Sequence, residues 1–369
     1  MRISLWIVFL FLAGFDSAAA RLFETEGSDL LMGVGAAQIA QGGAVVASEN
    51  GLYSLYWNPA GLSDIHENQI TLSGQFNRPL AHISFAGIAY VLPYFSPFGF
   101  RGTVGISYLP RVHFKAKGTF KESELETAFL NTALPGMPGG FSGKLDSKTN
   151  DYRLGIGGTF DLLPRLSLGA SIGRVKCHTL FSGYHKESLN PADIEIHANA
   201  WAIDLGAKYR LTNQLTFGAT LKHINGDLDV HTVTTDTKGT RIRTSNAPFV
   251  KDISFGVDYR YSPNWQFAFS YQMLYGHYSK STFDIRLLRI GGTYHTDSLD
   301  YHFGLIAPFK IQTVVIKDLK LPAPVLPTVG LTYRHGRTTY SVAAYIHPVM
   351  TFATHRLKPA LDLSISHRF

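Results

Sequence analysis

The stretch WAIDLGAKYRL, residues 201–211, carries two surfaces at once. Trp201, Ile203, Leu205, Ala207, Tyr209 and Leu211 fall on one side of an extended chain. Ala202, Asp204, Gly206, Lys208 and Arg210 fall on the other. A side-chain period of two is the period of a strand. One face here is apolar with aromatic ends, and the other is small or charged. The pattern returns downstream. Phe249, Ile253, Phe255, Val257, Tyr259 and Tyr261 alternate with Asp252, Ser254, Gly256, Asp258 and Arg260, with Lys251 interrupting the apolar face near one end. Trp265, Phe267, Phe269, Tyr271 and Met273 alternate with Gln266, Ala268, Ser270 and Gln272. Leu361, Leu363, Ile365 and Phe369 alternate with Asp362, Ser364, Ser366 and Arg368.

Alternation by itself suits a soluble sheet with one wet face. Three features point elsewhere. The segments run about 10–12 residues, as tilted membrane strands require. Trp and Tyr stand near the ends of the apolar faces, like interfacial girdles. The chain ends on an alternating strand with Phe369, which resembles the insertion signal of bacterial outer-membrane barrels. Fourteen strands are predicted, centred near residues 72, 87, 105, 155, 170, 204, 219, 256, 269, 290, 304, 331, 342 and 364. Connections after even strands are tight, as at Leu163-Pro164-Arg165 or His335-Gly336. Several after odd strands are long: 111–149, 176–195, 226–248 and 308–324. Short turns on one side and long loops on the other are the outer-membrane arrangement. The fold class is therefore all-β, a transmembrane antiparallel barrel of about 14 strands. A barrel this wide cannot be filled by its own strand side chains, so it holds a channel or a plug.

Composition agrees. The 369 residues are 45% hydrophobic and 17% charged, with a mean hydropathy of +0.02, as alternating faces plus polar loops would give. Thirty-five Gly, 25 Phe and 18 Tyr favour strands. Past residue 20 no apolar run is long enough for a membrane helix. A single cysteine, Cys177, excludes an intrachain disulfide framework. Net charge is +7, which alone would admit nucleic acid.

The N-terminus makes that partner improbable. Met1-Arg2, the apolar run Ile3 to Leu12 and Ala18-Ala19-Ala20 read as a cleaved signal peptide, residues 1–20, so export is expected. Residues 21–66 do not alternate, and 67–369 make the barrel. Within 21–66, LLMGVGAAQIAQGGAVVAS (residues 30–48) is small and apolar, and Tyr53-Ser54-Leu55-Tyr56-Trp57-Asn58-Pro59-Ala60-Gly61-Leu62 follows. Read physically, Asn-Pro-Ala-Gly is a turn into the first strand.

In this position the two segments resemble the FadL-type outer-membrane transporters of long-chain fatty acids and other hydrophobic compounds, in particular the shorter FadL-like proteins. The resemblance is sharp over residues 30–64 and architectural beyond. It implies that residues 21–66 fold into the lumen as a hatch, with Asn58, Pro59, Ala60 and Gly61 as its motif. It implies apolar capture outside, transfer past the hatch, and sideways release through a kinked third strand. The loop after strand 3 is again the longest. Within it Leu125, Phe129, Leu130 and Leu134 fall at helical spacing, a candidate capture surface. A second branch of similar barrels carries or anchors exported proteins.

No enzyme chemistry is expected. Gly169-Ala170-Ser171-Ile172-Gly173 matches a nucleophile elbow, but strand-like sequence runs straight through it. The fifteen histidines show no metal-ligand spacing, so neither metal nor cofactor is expected. Charges predicted to face inward are Arg153, Asp161, Asp204, Lys208, Arg210, Lys222, Asp252, Asp258, Arg260, Arg289, Asp300, Arg334, Asp362 and Arg368. They form a hydrated lining, or one cation among Arg153, Lys208, Arg210, Arg260 and Arg289 grips a ligand carboxylate. The expected protein is a monomer in outer-membrane lipid that passively takes up a fatty-acid-like or other hydrophobic molecule. The alternatives are a carrier for exported proteins and a general porin.

Overall fold

The computed structural model describes residues 23–26, 32–77, 80–96, 99–120, 141–185, 191–237, 239–278, 281–312, 325–347, 351 and 357–369. The expected signal peptide and the four apolar residues Leu125, Phe129, Leu130 and Leu134 lie outside these. Seventeen strands are present among the described residues. The first six are β1 (Phe23–Glu26), β2 (Gln69–Asn77), β3 (Leu80–Val91), β4 (Phe100–Phe120), β5 (Phe141–Phe160) and β6 (Leu163–His185). Then come β7 (Pro191–Arg210), β8 (Leu215–Lys222), β9 (Asp227–Asp236), β10 (Gly239–Pro248), β11 (Lys251–Arg260) and β12 (Trp265–Tyr278). The last five are β13 (Ser281–His295), β14 (Leu299–Gln312), β15 (Leu326–His335), β16 (Thr338–Ile346) and β17 (Pro359–Arg368).

Fourteen of them, β2–β8 and β11–β17, form one closed antiparallel ring. Consecutive members pair, β8 pairs β11, and β17 returns to β2 with Arg368 opposite Gln69. The Phe369 amide donates to the Asn68 carbonyl and finishes this seam (2.9 Å). Every predicted centre falls in its own ring strand. Closure removes the sheet edges that a membrane could not tolerate. Among the described residues no helix is long and apolar enough to cross a membrane.

The barrel is polar inside and apolar outside. Thr71, Ser107, Arg153, Asp204, Lys208, Asp252, Arg289 and Asp362 are buried in the ring, while Ile70, Ile106, Leu154, Leu205, Phe255 and Leu363 are exposed. Ser171 of the elbow-like motif is also buried inside a continuous strand, as expected. Outside, Tyr108, Tyr152, Arg174 and Trp201 stand side by side on β4 to β7, with the Arg174 guanidinium 5.1 Å over the Trp201 ring. At the other end Trp265 meets Tyr294 at 4.9 Å, and Tyr294 meets Tyr301 at 6.4 Å. Trp201 and Tyr209 mark the two levels on β7. Their eight-residue separation is about 26 Å of strand before tilt, close to the apolar band of such barrels.

Two expectations need correction. Strands were expected at 10–12 residues with long loops, but β4 to β7 run 20–23 residues. Much of 111–149 and 176–195 is strand extension, because alternation continues past the girdle: Ile194, Ile196, Ala198 and Ala200 are buried on one face of β7. The loop 226–248 is a hairpin, β9 and β10, laid against β7. Asp161 does not line the lumen. It sits in the β5–β6 turn, where the Tyr94 hydroxyl donates to it at 2.5 Å.

Residues 32–66 pack against the inward faces of strands on every side of the ring. They contain a short helix (Ala36–Ala40), a helical turn (Ser54–Trp57) and a 3-10 turn (Pro59–Asp64). One apolar cluster joins Met32, Ile39 and Ala40 to Ile306, Leu326 and Tyr345. Another joins Val34, Leu52, Tyr53, Leu55 and Trp57 to Phe85 and Leu109.

Candidate functional site: the luminal segment and a gap in the wall

Asn58 is fully buried and uses every hydrogen-bonding group it has. Its amide donates to the Ser54 carbonyl (3.0 Å) and its carbonyl accepts from the Gly61 amide (2.8 Å). Oδ1 accepts from the Ala60 amide at 3.1 Å, capping the 3-10 turn that Pro59 starts. Nδ2 donates to the Val46 carbonyl at 2.7 Å and to the Ala207 carbonyl of β7 at 3.2 Å. The expected turn is thus present, but one amide side chain also ties three places together: the turn, the strand-free stretch before it, and the barrel wall.

The wall is shaped to receive it. Gly157, Gly169 and Gly206 face one another across β5, β6 and β7. A Cβ at Gly169 would strike the Pro59 carbonyl and the Ala60 amide. One at Gly206 would strike Asn58 Oδ1 and come within 2.9 Å of Pro59 Cδ. Close backbone approach leaves room for glycine only.

Three of the five predicted cations hold the segment by its backbone. The Arg289 Nη1 donates to the Gly42 carbonyl at 2.8 Å, and its Nε and Nη2 both reach Gln272 Oε1. Lys208 Nζ donates to the Glu49 carbonyl (2.8 Å) and to Asp64 Oδ2 (2.6 Å). Arg153 donates to the Leu55 carbonyl at 3.1 Å, and pairs with Asp151 and Asp204. The other two, Arg210 and Arg260, are exposed and line a cavity of about 540 Å³ below the segment, with Arg165, Asp64 and Asp258. Within the segment, burial pushes the Glu49 carboxyl up from its ordinary range, partly offset by donors from Gln38 and Gly51.

The third ring strand, β4, which the resemblance implies is kinked, carries a register shift beside this segment. Pairing of β3 with β4 runs only from Val91 opposite Thr103 to Ala86 opposite Tyr108. Beyond that, β3 stays paired to β2 as far as Leu80, while β4 shifts register between Pro110 and Val112. Arg111 is the extra residue of this bulge. It turns inward, is buried, and binds Asp151 Oδ2 (Nη2 at 2.7 Å) and His223 Nε2 (3.1 Å). Further out, β1 takes the partner position on β4, Glu26 opposite His113. Between these two pairings the β3–β4 ladder is interrupted, and Phe85 and Leu109 stand beside the interruption in the apolar cluster with Tyr53, Leu52 and Leu55. A proline inside a strand pattern marks a bulge, so Pro110 was the available signal.

No protein-family model matches the sequence, and no curated protein matches it either. Solved structures do match in shape. The toluene transporter TbuX of Ralstonia pickettii superposes with a TM-score of 0.62 at 13% identity, covering 92% of this chain and 99% of that one. A FadL homologue of Pseudomonas aeruginosa gives 0.63 at 10% identity, covering 94% and 99%. The monoaromatic hydrocarbon channel CymD gives 0.60 at 13%, covering 93% and 99%. At such identities the likeness is one of fold, and it extends over nearly the whole of each chain. The 14-strand ring has the fold shared by these hydrocarbon transporters and the FadL homologue.

Proposed function

We propose that this barrel passes hydrophobic small molecules across the outer membrane passively, with residues 21–66 as its hatch and the gap between β3 and β4 as the way out. The observation that carries the reading is one coincidence. Residues 32–66 pack against the inward faces of the ring, while the β3–β4 ladder is interrupted at the point where the apolar cluster reaches it. A ligand leaving there would enter the bilayer without crossing the polar lower cavity. A monoaromatic ring buries on the order of 200 Å² and gains about 5 kcal/mol in an apolar site, enough to draw it from water unaided.

The charges beside the gap favour a neutral ligand over a long-chain fatty acid. Arg111, Arg153 and Lys222 face Asp151, Asp204 and Asp252 in paired contacts, so a ligand carboxylate would have to displace a buried partner. Uptake of radiolabelled toluene and of radiolabelled oleate into cells making the protein tests this. Toluene entry is expected to rise above cells lacking the barrel, and oleate entry to rise less. Asn58→Ala is expected to slow entry while the barrel still assembles. If neither compound enters faster, the transport reading fails. A stable exported protein recovered with the barrel would then support the carrier reading.

A further inference from the structure

His178 and His197 look scattered in the sequence, but the sheet brings them face to face. They are direct cross-strand partners on β6 and β7. Both point outward, since Thr179 and Ala198 next to them are buried on the inner face. Glu195 lies two residues from His197 on β7 and therefore shares that face. Each histidine Nε2 is 2.9 Å from the same Glu195 oxygen, Oε1. The two rings stack at 4.5 Å with planes 12° apart. One ligand-capable atom from each of the three side chains lies within 4.8 Å of the others. All three side chains remain between two-fifths and one-half exposed.

The height on the wall matters. His197 is four residues beyond Trp201 of the outer girdle, about 13 Å further along the strand, so the trio stands clear of the apolar band. It faces water or head groups, and ions can reach it.

Two imidazoles and one carboxylate on two rigid strands make a donor set for a borderline metal. Zinc binds imidazole nitrogen at about 2.0–2.1 Å and carboxylate oxygen at about 2.0–2.2 Å, which in a tetrahedron separates donors by roughly 3.3 Å. The two histidine–Glu195 separations need to open by only a few tenths of an ångström, and no pair of the three donor atoms is more than 4.8 Å apart. Imidazole donors suit zinc, nickel and copper, whereas magnesium and calcium prefer all-oxygen sets. Cys177 belongs to the opposite face of β6 and takes no part.

We propose that His178, Glu195 and His197 form a binding site for one divalent transition-metal ion of the zinc class on the outer wall of the barrel, with water in the open coordination positions. A bound ion would cross-link β6 to β7 in the part of the barrel that stands outside the bilayer. The site is separate from the luminal segment and does not depend on what the barrel transports.

Titration calorimetry with zinc chloride tests it, on the full-length protein in detergent, freed of any affinity tag and pretreated with EDTA. One saturable site per chain is expected, with none for magnesium chloride. His178→Ala and His197→Ala should each weaken it roughly tenfold or more, since even the loss of groups that only support a ligand costs 10–100-fold. The double variant should abolish it. The residues are exposed, so folding should survive, and heat-modifiable migration on gels confirms it. Saturable single-site binding that persists in the double variant would put zinc elsewhere and overturn the proposal. So would the absence of saturable binding in the unaltered protein, which would leave a hydrogen-bonded trio only.

Discussion

At the residue scale, the glycine trio and the buried charges make opposite predictions about what a substitution harms. Gly206→Val adds a branched side chain where Asn58 Oδ1 and Pro59 already touch the wall. The strand itself would gain β propensity, so the ring should still form. The luminal segment should lose its seat, and ion conductance in planar bilayers should rise. Unchanged conductance would show that the trio does not seat the segment. Arg153→Met acts on the wall. It leaves Asp151 and Asp204 without their shared cation in a buried site. Breaking a buried pair on one side costs about 3–5 kcal/mol, so the denaturant midpoint should fall markedly. Asn58 was legible as a motif residue, yet its bond to Ala207 was not. That bond joins positions 149 apart in the chain, and no local pattern encodes such a distance.

At the element scale, period two was sufficient to place all fourteen ring strands. It works here because lipid outside and a polar lumen inside impose opposite demands on successive residues. It was not followed into the outer halves of β4 to β7, although Ile194, Ile196 and Ala198 keep one face of β7 buried there. Polar residues such as His178, Glu195 and His197 fill the other face, and these stretches were read as loops. The kink in β4 was implied by the resemblance alone, and period two did not place it. One extra residue shifts everything after it: Leu109 opposes Asp151 before the bulge, whereas His113 opposes Lys148 beyond it. Deleting Arg111 should restore register, extend the β3–β4 pairing and close the gap. Toluene uptake should then fall, whereas Arg111→Met, which keeps the extra residue, should retain more of it. Equal uptake by the two variants would rule out the gap as the exit.

At the scale of the whole molecule, the contrast with an open porin is direct. Apolar clusters and backbone hydrogen bonds fix residues 32–66 across the lumen, from Ala40 against β15 to Pro59 against β6. The intact protein should conduct poorly in planar bilayers, and deletion of residues 32–60 should open it. High conductance before the deletion would favour the general-porin reading. The sign of the net charge, +7, carries no information about transport. Most of the luminal cations are already matched by aspartates or by carbonyls of the segment they hold.

The seam between β2 and β17 has a consequence in time. The ring strand latest in chain order, β17, pairs with the one that directly follows the luminal segment. The ring therefore cannot close until β17 arrives, and everything enclosed must be in position when it does. Bulky Tyr53, Tyr56 and Trp57 have no easy way in afterwards. Assembly of this barrel is in that sense a packing order: contents first, lid of the parcel last. A chain shortened at Phe369 would risk both an unsealed wall and a misplaced interior.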